Sequence, residues 1–126
     1  MIDFFEPPES GSSRPFSRAT RAGGLIFVSG HSAPHDPVRG IFRGADTAEE
    51  VRNALAELSR ILKAQGSDLD QVVQVSMLIT DPADYAACNA EYVRHFPNGL
   101  PARHTARFGV PSEAKVAFSC IALAHP

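Results

Sequence analysis

At 126 residues, the chain is long enough for one domain that buries about two thirds of its unfolded surface and too short for two. Its 44% hydrophobic and 21% charged content excludes the disordered and fibrous classes. With 12 basic and 14 acidic side chains spread along the chain and a formal charge of -2, it carries no clustered basic stripe for a nucleic-acid partner.

No apolar run approaches the length of a membrane span, and the N-terminal Met1-Ile2-Asp3-Phe4-Phe5-Glu6 is acidic where a secretory leader is basic. The expected setting is cytoplasmic, with no membrane partner. Cys88 and Cys120 lie within apolar patterns and are expected as buried thiols rather than a disulfide.

Residues 1–13, with Pro7-Pro8 and Gly11-Ser12-Ser13, predict an irregular N-terminal extension closed by Pro15-Phe16. A short strand is predicted over 17–22, turned by Gly23-Gly24. Leu25-Ile26-Phe27-Val28-Ser29-Gly30 follows as a buried strand, because it is continuous, β-branched and too short for a helix. Gly30 is expected to end it and to let a ligand or another backbone come close. Pro34, Pro37, Gly40 and Gly44 make 31–46 a loop or hairpin with one weak strand near Gly40-Ile41-Phe42.

Thr47 and Glu50 have the spacing of a capping box, and Val51, Ala54, Leu55, Leu58, Ile61 and Leu62 recur at three and four residues before Gly66. They predict an amphipathic helix whose task is packing. Val72 to Thr80 reads as a strand with Val73, Val75, Met77 and Ile79 on one face. Asp81-Pro82 opens a second helix that carries Tyr85, Cys88, Asn89, Tyr92 and Phe96 on one stripe. Asn89 is the one amide there, and must find partners if buried. Strands near 103–109 and 115–124 complete the chain.

This order predicts an α/β (α+β) two-layer sandwich: a mixed sheet with two helices on one face. The last strand is apolar on both sides, since Val116, Phe118, Cys120 and Ala122 alternate with Ala117, Ser119, Ile121 and Leu123. The face without helices is therefore expected to be closed by another subunit.

Phosphate loops, Cys-x-x-Cys pairs and nucleophile elbows are missing from the sequence. His31 and His35 are separated by Pro34, which forbids the helix that would bring both rings to one metal, so no metal site is expected. The most informative stretch is Gly99-Leu100-Pro101-Ala102-Arg103-His104-Thr105, where a proline fixes the approach to a strand with Arg103 at its mouth. A guanidinium held there offers a planar fork of donors to a carboxylate, although a solvated edge charge is the alternative. Strand alternation places His104 on the face opposite Arg103 and Thr105.

Gly24 to Gly30, the run Ala64-Gln65-Gly66-Ser67-Asp68-Leu69-Asp70-Gln71-Val72-Val73, the helix Asp84 to Tyr92 and Pro101-Ala102-Arg103 together resemble the Rid family, the YjgF-like reactive intermediate (enamine/imine) deaminases. The likeness runs from about Arg14 to Ala124. It implies a chorismate-mutase-like fold, a homotrimer built as a barrel, and ligand clefts between subunits. It further implies hydrolysis of an imine or enamine to ammonia and a 2-keto acid, without a cofactor. By position in the family pattern, Arg103 binds the substrate carboxylate, Gly30 offers backbone groups, Asn89 lines the cleft and Phe16 forms a wall.

Three family positions differ. A tyrosine is Phe16 here, a cysteine is Thr105, and the last-strand glutamate that orients water is Ser119. Arg103, Thr105 and Ser119 are thus the candidate catalytic positions, and Arg103, Phe16, Gly30 and Asn89 the candidate substrate-binding ones. Two functions compete: a deaminase, and a non-catalytic binder of small carboxylates such as keto acids. RNA cleavage, also attached to the family, is disfavoured because basic and aromatic residues do not interleave.

Overall fold

The computed structural model describes residues 1–8, 14–36, 41–42 and 46–124. Ten elements organise them: β1 (Asp3–Phe5), β2 (Ala19–Ala22), β3 (Leu25–Ser32), β4 (His35–Asp36), β5 (Ile41–Phe42), α1 (Thr47–Ala64), β6 (Val72–Ile79), α2 (Tyr85–Tyr92), β7 (Ala102–Arg107) and β8 (Val116–Leu123). Six strands form one sheet in the order β1-β2-β3-β8-β6-β7, and β4 pairs with β5 separately.

Only β6 and β7 run parallel; every other neighbour in the large sheet is antiparallel. Parallel neighbours need a crossover, which α2 supplies. The first crossover, through α1, joins β3 to β6 and leaves a gap of one strand between them, which β8 fills. The expected mixed sheet with two helices is therefore what forms.

The core lies between the helices and one sheet face. Val51, Ala54, Leu55, Leu58, Ile61 and Leu62 of α1 are all 0% exposed, against Ile26, Val75, Met77 and Phe118 of the sheet. Each such leucine or isoleucine contributes roughly 1.5–3 kcal/mol by leaving water. α1 ends as its sequence indicates: Gly66 has φ +78°, and Ser67 N donates to Leu62 O at 2.8 Å while Gly66 N donates to Lys63 O at 3.1 Å. This paired closure needs a left-handed residue at Gly66, which glycine adopts without strain.

Several local expectations are corrected. The cap of α1 is Asp46, whose carboxylate accepts from Glu49 N at 2.8 Å, not the Thr47–Glu50 pair. Thr47 instead donates to Asp84 Oδ1 at 3.1 Å, and the buried Glu50 carboxylate accepts from Lys115 N at 2.6 Å. Both tie α1 to distant segments. The N-terminal extension is not wholly irregular, because Asp3–Phe5 adds a strand to the free edge of β2. Three residues carry no period from which to read it; the waiting edge decided the pairing.

β6 bulges at Val73: Val72 pairs with Ala122 and Gln74 with Ile121, so Val73 leaves the apolar face and stands 44% exposed. Gly30 does not end β3, which continues to Ser32 past a second irregularity. Val28 pairs with Cys120 and His31 with Phe118, so Ser29 and Gly30 together oppose Ser119. α2 is a single short helix led by a 3-10 turn over Pro82–Asp84, with Asp81 accepting from Ala83 N at 2.9 Å, and followed by another over Val93–His95. Cys88, Tyr92 and Phe96 are buried as expected, but Tyr85 is 44% exposed at the sheet edge. The weak strand near Ile41-Phe42 is present as β5, while Gly40 and the side chain of His35 lie outside the described residues.

Cys88 and Cys120 are both free and buried. Burial raises the Cys120 thiol to about 12, and burial with nearby Asp84 and Glu50 raises Cys88 to about 11, so neither is a nucleophile near neutral pH. Among the described residues, no helix is long and apolar enough to cross a membrane.

Candidate functional site

The ladder registers decide which candidates share a face. One row runs Val28, Cys120, Val75, Arg103, and the next on the same side runs His31, Phe118, Met77, Thr105. Both belong to the helix side, where Val28, Cys120, Val75, His31, Phe118 and Met77 are buried. The row Ser119, Ser76, His104 alternates with these and stands on the opposite, open face. Sequence alternation placed His104 correctly. It also follows that Arg103 and Ser119 of one chain point to opposite sides of the sheet.

Arg103 lies at the mouth of the edge strand β7, against α2. Its guanidinium carbon is 4.8 Å from the Tyr92 ring centroid and 5.9 Å from that of Tyr85, and Nη2 donates to the Tyr85 hydroxyl at 3.3 Å. Tyr92 in turn stacks on the fully buried Phe118 with centroids 5.9 Å apart. A column of rings therefore runs from the core to the cation and holds it without neutralising it. Each cation–ring contact contributes about 0.5–2 kcal/mol, depending on desolvation.

No carboxylate among the described residues pairs with Arg103, whereas Arg52, Arg60 and Arg94 all pair with glutamates. Beside it, Asn89 Oδ1 and the Tyr92 hydroxyl are buried without a hydrogen-bond partner. Asn89 is one turn from both Tyr85 and Tyr92 on α2. Burial pushes the Tyr92 hydroxyl up to about 12, with Arg103 acting against that shift, so it stays protonated and able to donate. The buried amide oxygen is left without the partner its burial asks for. A receptor edge with a fixed cation and unmet polar groups is the result. Tyr85 was not marked as a site residue from the sequence; its spacing of four from Asn89 was the available signal.

Ser119 faces a hollow of about 190 Å³ lined by Phe27, Gln74, Ser76 and Ile121, among others. Its side chains are serines, an amide and apolar groups, so this hollow has no acid–base group active near neutral pH. Phe16 is 44% exposed and lines a neighbouring hollow of about 460 Å³ that shares Phe27 and Val28 with the first. Gly30 belongs to the bulge opposite Ser119, and a Cβ built on it meets nothing within 4 Å. Nothing among the described residues therefore requires glycine there for space.

Two groups emerge. Arg103, Thr105 and Asn89 stand on the helix side toward the sheet edge, and Phe16, Gly30 and Ser119 gather around the open face. One chain does not bring the two groups together. Among the described residues no three His, Cys, Asp or Glu side chains cluster as a metal site would need.

Residues 8–124 match the protein family described as Endoribonuclease L-PSP. The chain is 36% identical over 112 residues to the RutC family protein y4sK of Sinorhizobium fredii, covering 88% of each. It is 33% identical over 113 residues to the 2-iminobutanoate/2-iminopropanoate deaminase of Mus musculus, covering 89% of this chain and 83% of the other. The structure of NMB1025, a member of the YjgF protein family from Neisseria meningitidis, superposes with a TM-score of 0.83 at 26% identity, over 100% of this chain and 97% of that one.

Proposed function

The chain belongs to the Endoribonuclease L-PSP family, the Rid or YjgF-like proteins, and from that premise we propose that it hydrolyses reactive imines and enamines of small carboxylic acids. The observation that carries this reading is the state of Arg103: held by two tyrosine rings, half-buried, and paired with no carboxylate among the described residues. Such a cation is prepared for an external organic anion. Water adds across the C=N bond, its oxygen to carbon and one proton to nitrogen; the C–N bond then breaks as the hydroxyl's remaining proton passes to nitrogen, releasing ammonia and the 2-keto acid. Fixing the substrate and orienting water supply the rate, so the reading calls on no cofactor.

The two groups become one site when a neighbouring copy sets its Arg103 edge against the open face. Phe27 and Leu123, 40% and 46% exposed there, supply apolar surface to be covered. Three copies repeating that contact close a ring, and the proposed assembly is a homotrimer. In each cleft Arg103 binds the carboxylate, Asn89 and Thr105 line its side, Phe16 forms the far wall, and the Gly30 backbone and Ser119 face the reacting carbon. A cytoplasmic setting belongs to the same proposal. RNA is not the proposed substrate despite the family's description, because the charge balance offers no basic track.

A second reading rests on Ser119. With no group of suitable pKa in its hollow, the same cleft would hold a keto acid without turning over an imine. The deciding experiment generates imines with an amino-acid oxidase and follows their loss with and without the protein. Acceleration over buffer supports the deaminase. No acceleration across several amino acids, together with calorimetric binding of 2-ketobutyrate, establishes the binder. Sedimentation as a monomer removes the proposed cleft.

A further inference from the structure

A third hollow, of about 230 Å³, lies on the helix side between β3 and α1, with Arg18, His31, Ser32 and Glu57 in its lining. It is separate from Arg103, because β8 and β6 stand between β3 and β7 in the sheet. Its polar groups are unusual for so buried a place. His31 is only 5% exposed, yet its Nε2 has no hydrogen-bond partner, and neither has the buried Nε of Arg18.

Arg18 Nη1 lies 3.4 Å from His31 Nδ1. A guanidinium only donates, so Nδ1 accepts and the neutral ring carries its proton on Nε2. Burial first, and the Arg18 charge second, push the His31 pKa down, which keeps that ring neutral. The hollow thus presents one unmet donor, His31 Nε2–H, beside the Arg18 guanidinium, whose Nε faces Glu6 Oε2 at 3.9 Å. A buried donor left unmet is costly, and an acceptor supplied from outside recovers that energy.

Opposite them stands Glu57, held below the usual carboxylate range chiefly by its hydrogen bonds from Arg60. Its Oε1 accepts from Arg60 Nη2 at 2.7 Å and from Nε at 3.2 Å, whereas Oε2 accepts only from Nε, at 3.2 Å. Oε2 therefore has a lone pair to offer. The surrounding ions balance, since Arg18 lies 3.9 Å from Glu6 and Arg60 pairs with both Glu6 and Glu57.

A simple anion would satisfy His31 Nε2–H and the Arg18 guanidinium while facing the Glu57 carboxylate, and an ammonium would satisfy Glu57 while leaving the His31 donor unmet. A molecule with both charges meets every requirement. The volume is below the range of about 300–1,000 Å³ typical of drug-sized ligands and suits a molecule of a few heavy atoms. We propose that this hollow is a binding site for a small zwitterionic α-amino acid, its carboxylate on Arg18 and His31 and its ammonium on Glu57. Gly30 borders both this hollow and the proposed Arg103 cleft, but the charged groups of the two are different.

The test is titration calorimetry of the full chain with L-serine, with acetate and methylamine as single-charge probes. L-Serine binds wild type and Arg103→Ala alike, and Arg18→Met, His31→Leu and Glu57→Gln each weaken it about 10-fold or more. Acetate and methylamine bind at least about 10-fold more weakly than L-serine. Melting curves confirm that each variant folds. Imidazole nitrogen resonances of wild type need no variant, and His31 Nε2 shifts on addition of L-serine. Absence of both heat and shift overturns the proposal and leaves the hollow to water. Equal binding of acetate to Arg103→Ala overturns it in favour of a plain anion site. Loss in Arg103→Ala with retention in Arg18→Met moves the amino acid to the sheet edge, and likewise overturns it.

Discussion

The edge of the sheet at Arg103 and the open face at Ser119 are built on opposite principles. At the edge, a permanent charge is pinned by Tyr85 and Tyr92, and Tyr92 rests on the core ring of Phe118. At the open face, the hollow around Ser119 has serines, an amide and apolar side chains, with no group that exchanges protons near neutral pH. The first region recognises charge and the second offers shape and hydrogen bonds. Under the proposed function, the edge binds and the open face is where catalytic power is gained or lost.

The largest expected effect tests that division directly. Ser119→Glu places a carboxylate in the hollow where the family pattern has one, and raises imine hydrolysis by about 10²-fold, within the 10²–10⁴ range of a positioned proton shuttle. An unchanged rate would mean that proton transfer does not run through this face. Arg103→Ala lowers affinity for 2-ketobutyrate by about 10- to 100-fold, the loss of a charge-assisted hydrogen bond, while the melting temperature stays near that of wild type. Loss of stability in place of affinity would make Arg103 a structural cation.

Mixing sharpens the comparison further. If the two regions meet only between copies, Arg103→Ala and a second variant with its hollow filled, Ser119→Phe, each lose ligand binding alone. Refolded together in equal amounts, they recover about a quarter of the wild-type sites, because one cleft in four then takes both intact halves. No recovery would place both halves of the site within one chain.

The smallest effect is on stability against pH. His31 has its pKa lowered by burial and by Arg18, so its folded value is below 6.5; its contribution is present above that pH and is lost as pH falls through the folded value. Burial raises the Glu91 carboxyl, but hydrogen bonds from His95 at 2.7 Å and Arg52 at 3.0 Å outweigh it and hold the pKa below 4.5. Glu57 is held down likewise by Arg60. These carboxylates contribute above pH 4.5, and that contribution is lost as pH falls through their folded values. Thermal melting followed from pH 8 to pH 3 accordingly declines in two stages, and His31→Gln removes the earlier one.

What was readable in advance follows the range of the interactions. The six apolar positions of α1 were legible because a helix repeats every few residues and its packing face is written locally. The Thr47–Glu50 pair misled because both side chains had better partners far along the chain, Asp84 and the Lys115 backbone. The strand Asp3–Phe5 and the bulge at Val73 were missed because pairing with β2 and β8 is a long-range event with no local period. Among the candidate residues, Arg103 was found by its place after Pro101, but the tyrosine support that holds it lies on α2. His31 and Arg18, thirteen positions apart, have no sequence signal at all.

By itself the sequence determined the helices, the doubly apolar last strand and the arginine at a strand mouth, since periodicity, turn chemistry and propensity act over a few residues. Only the tertiary structure decided that β8 inserts between β3 and β6, and with it the sides to which Arg103 and Ser119 point. Strand register sets side-chain direction, and two bulges alter it by a single residue. That choice belongs to the assembled sheet, where burial of one complete face outweighs any local preference.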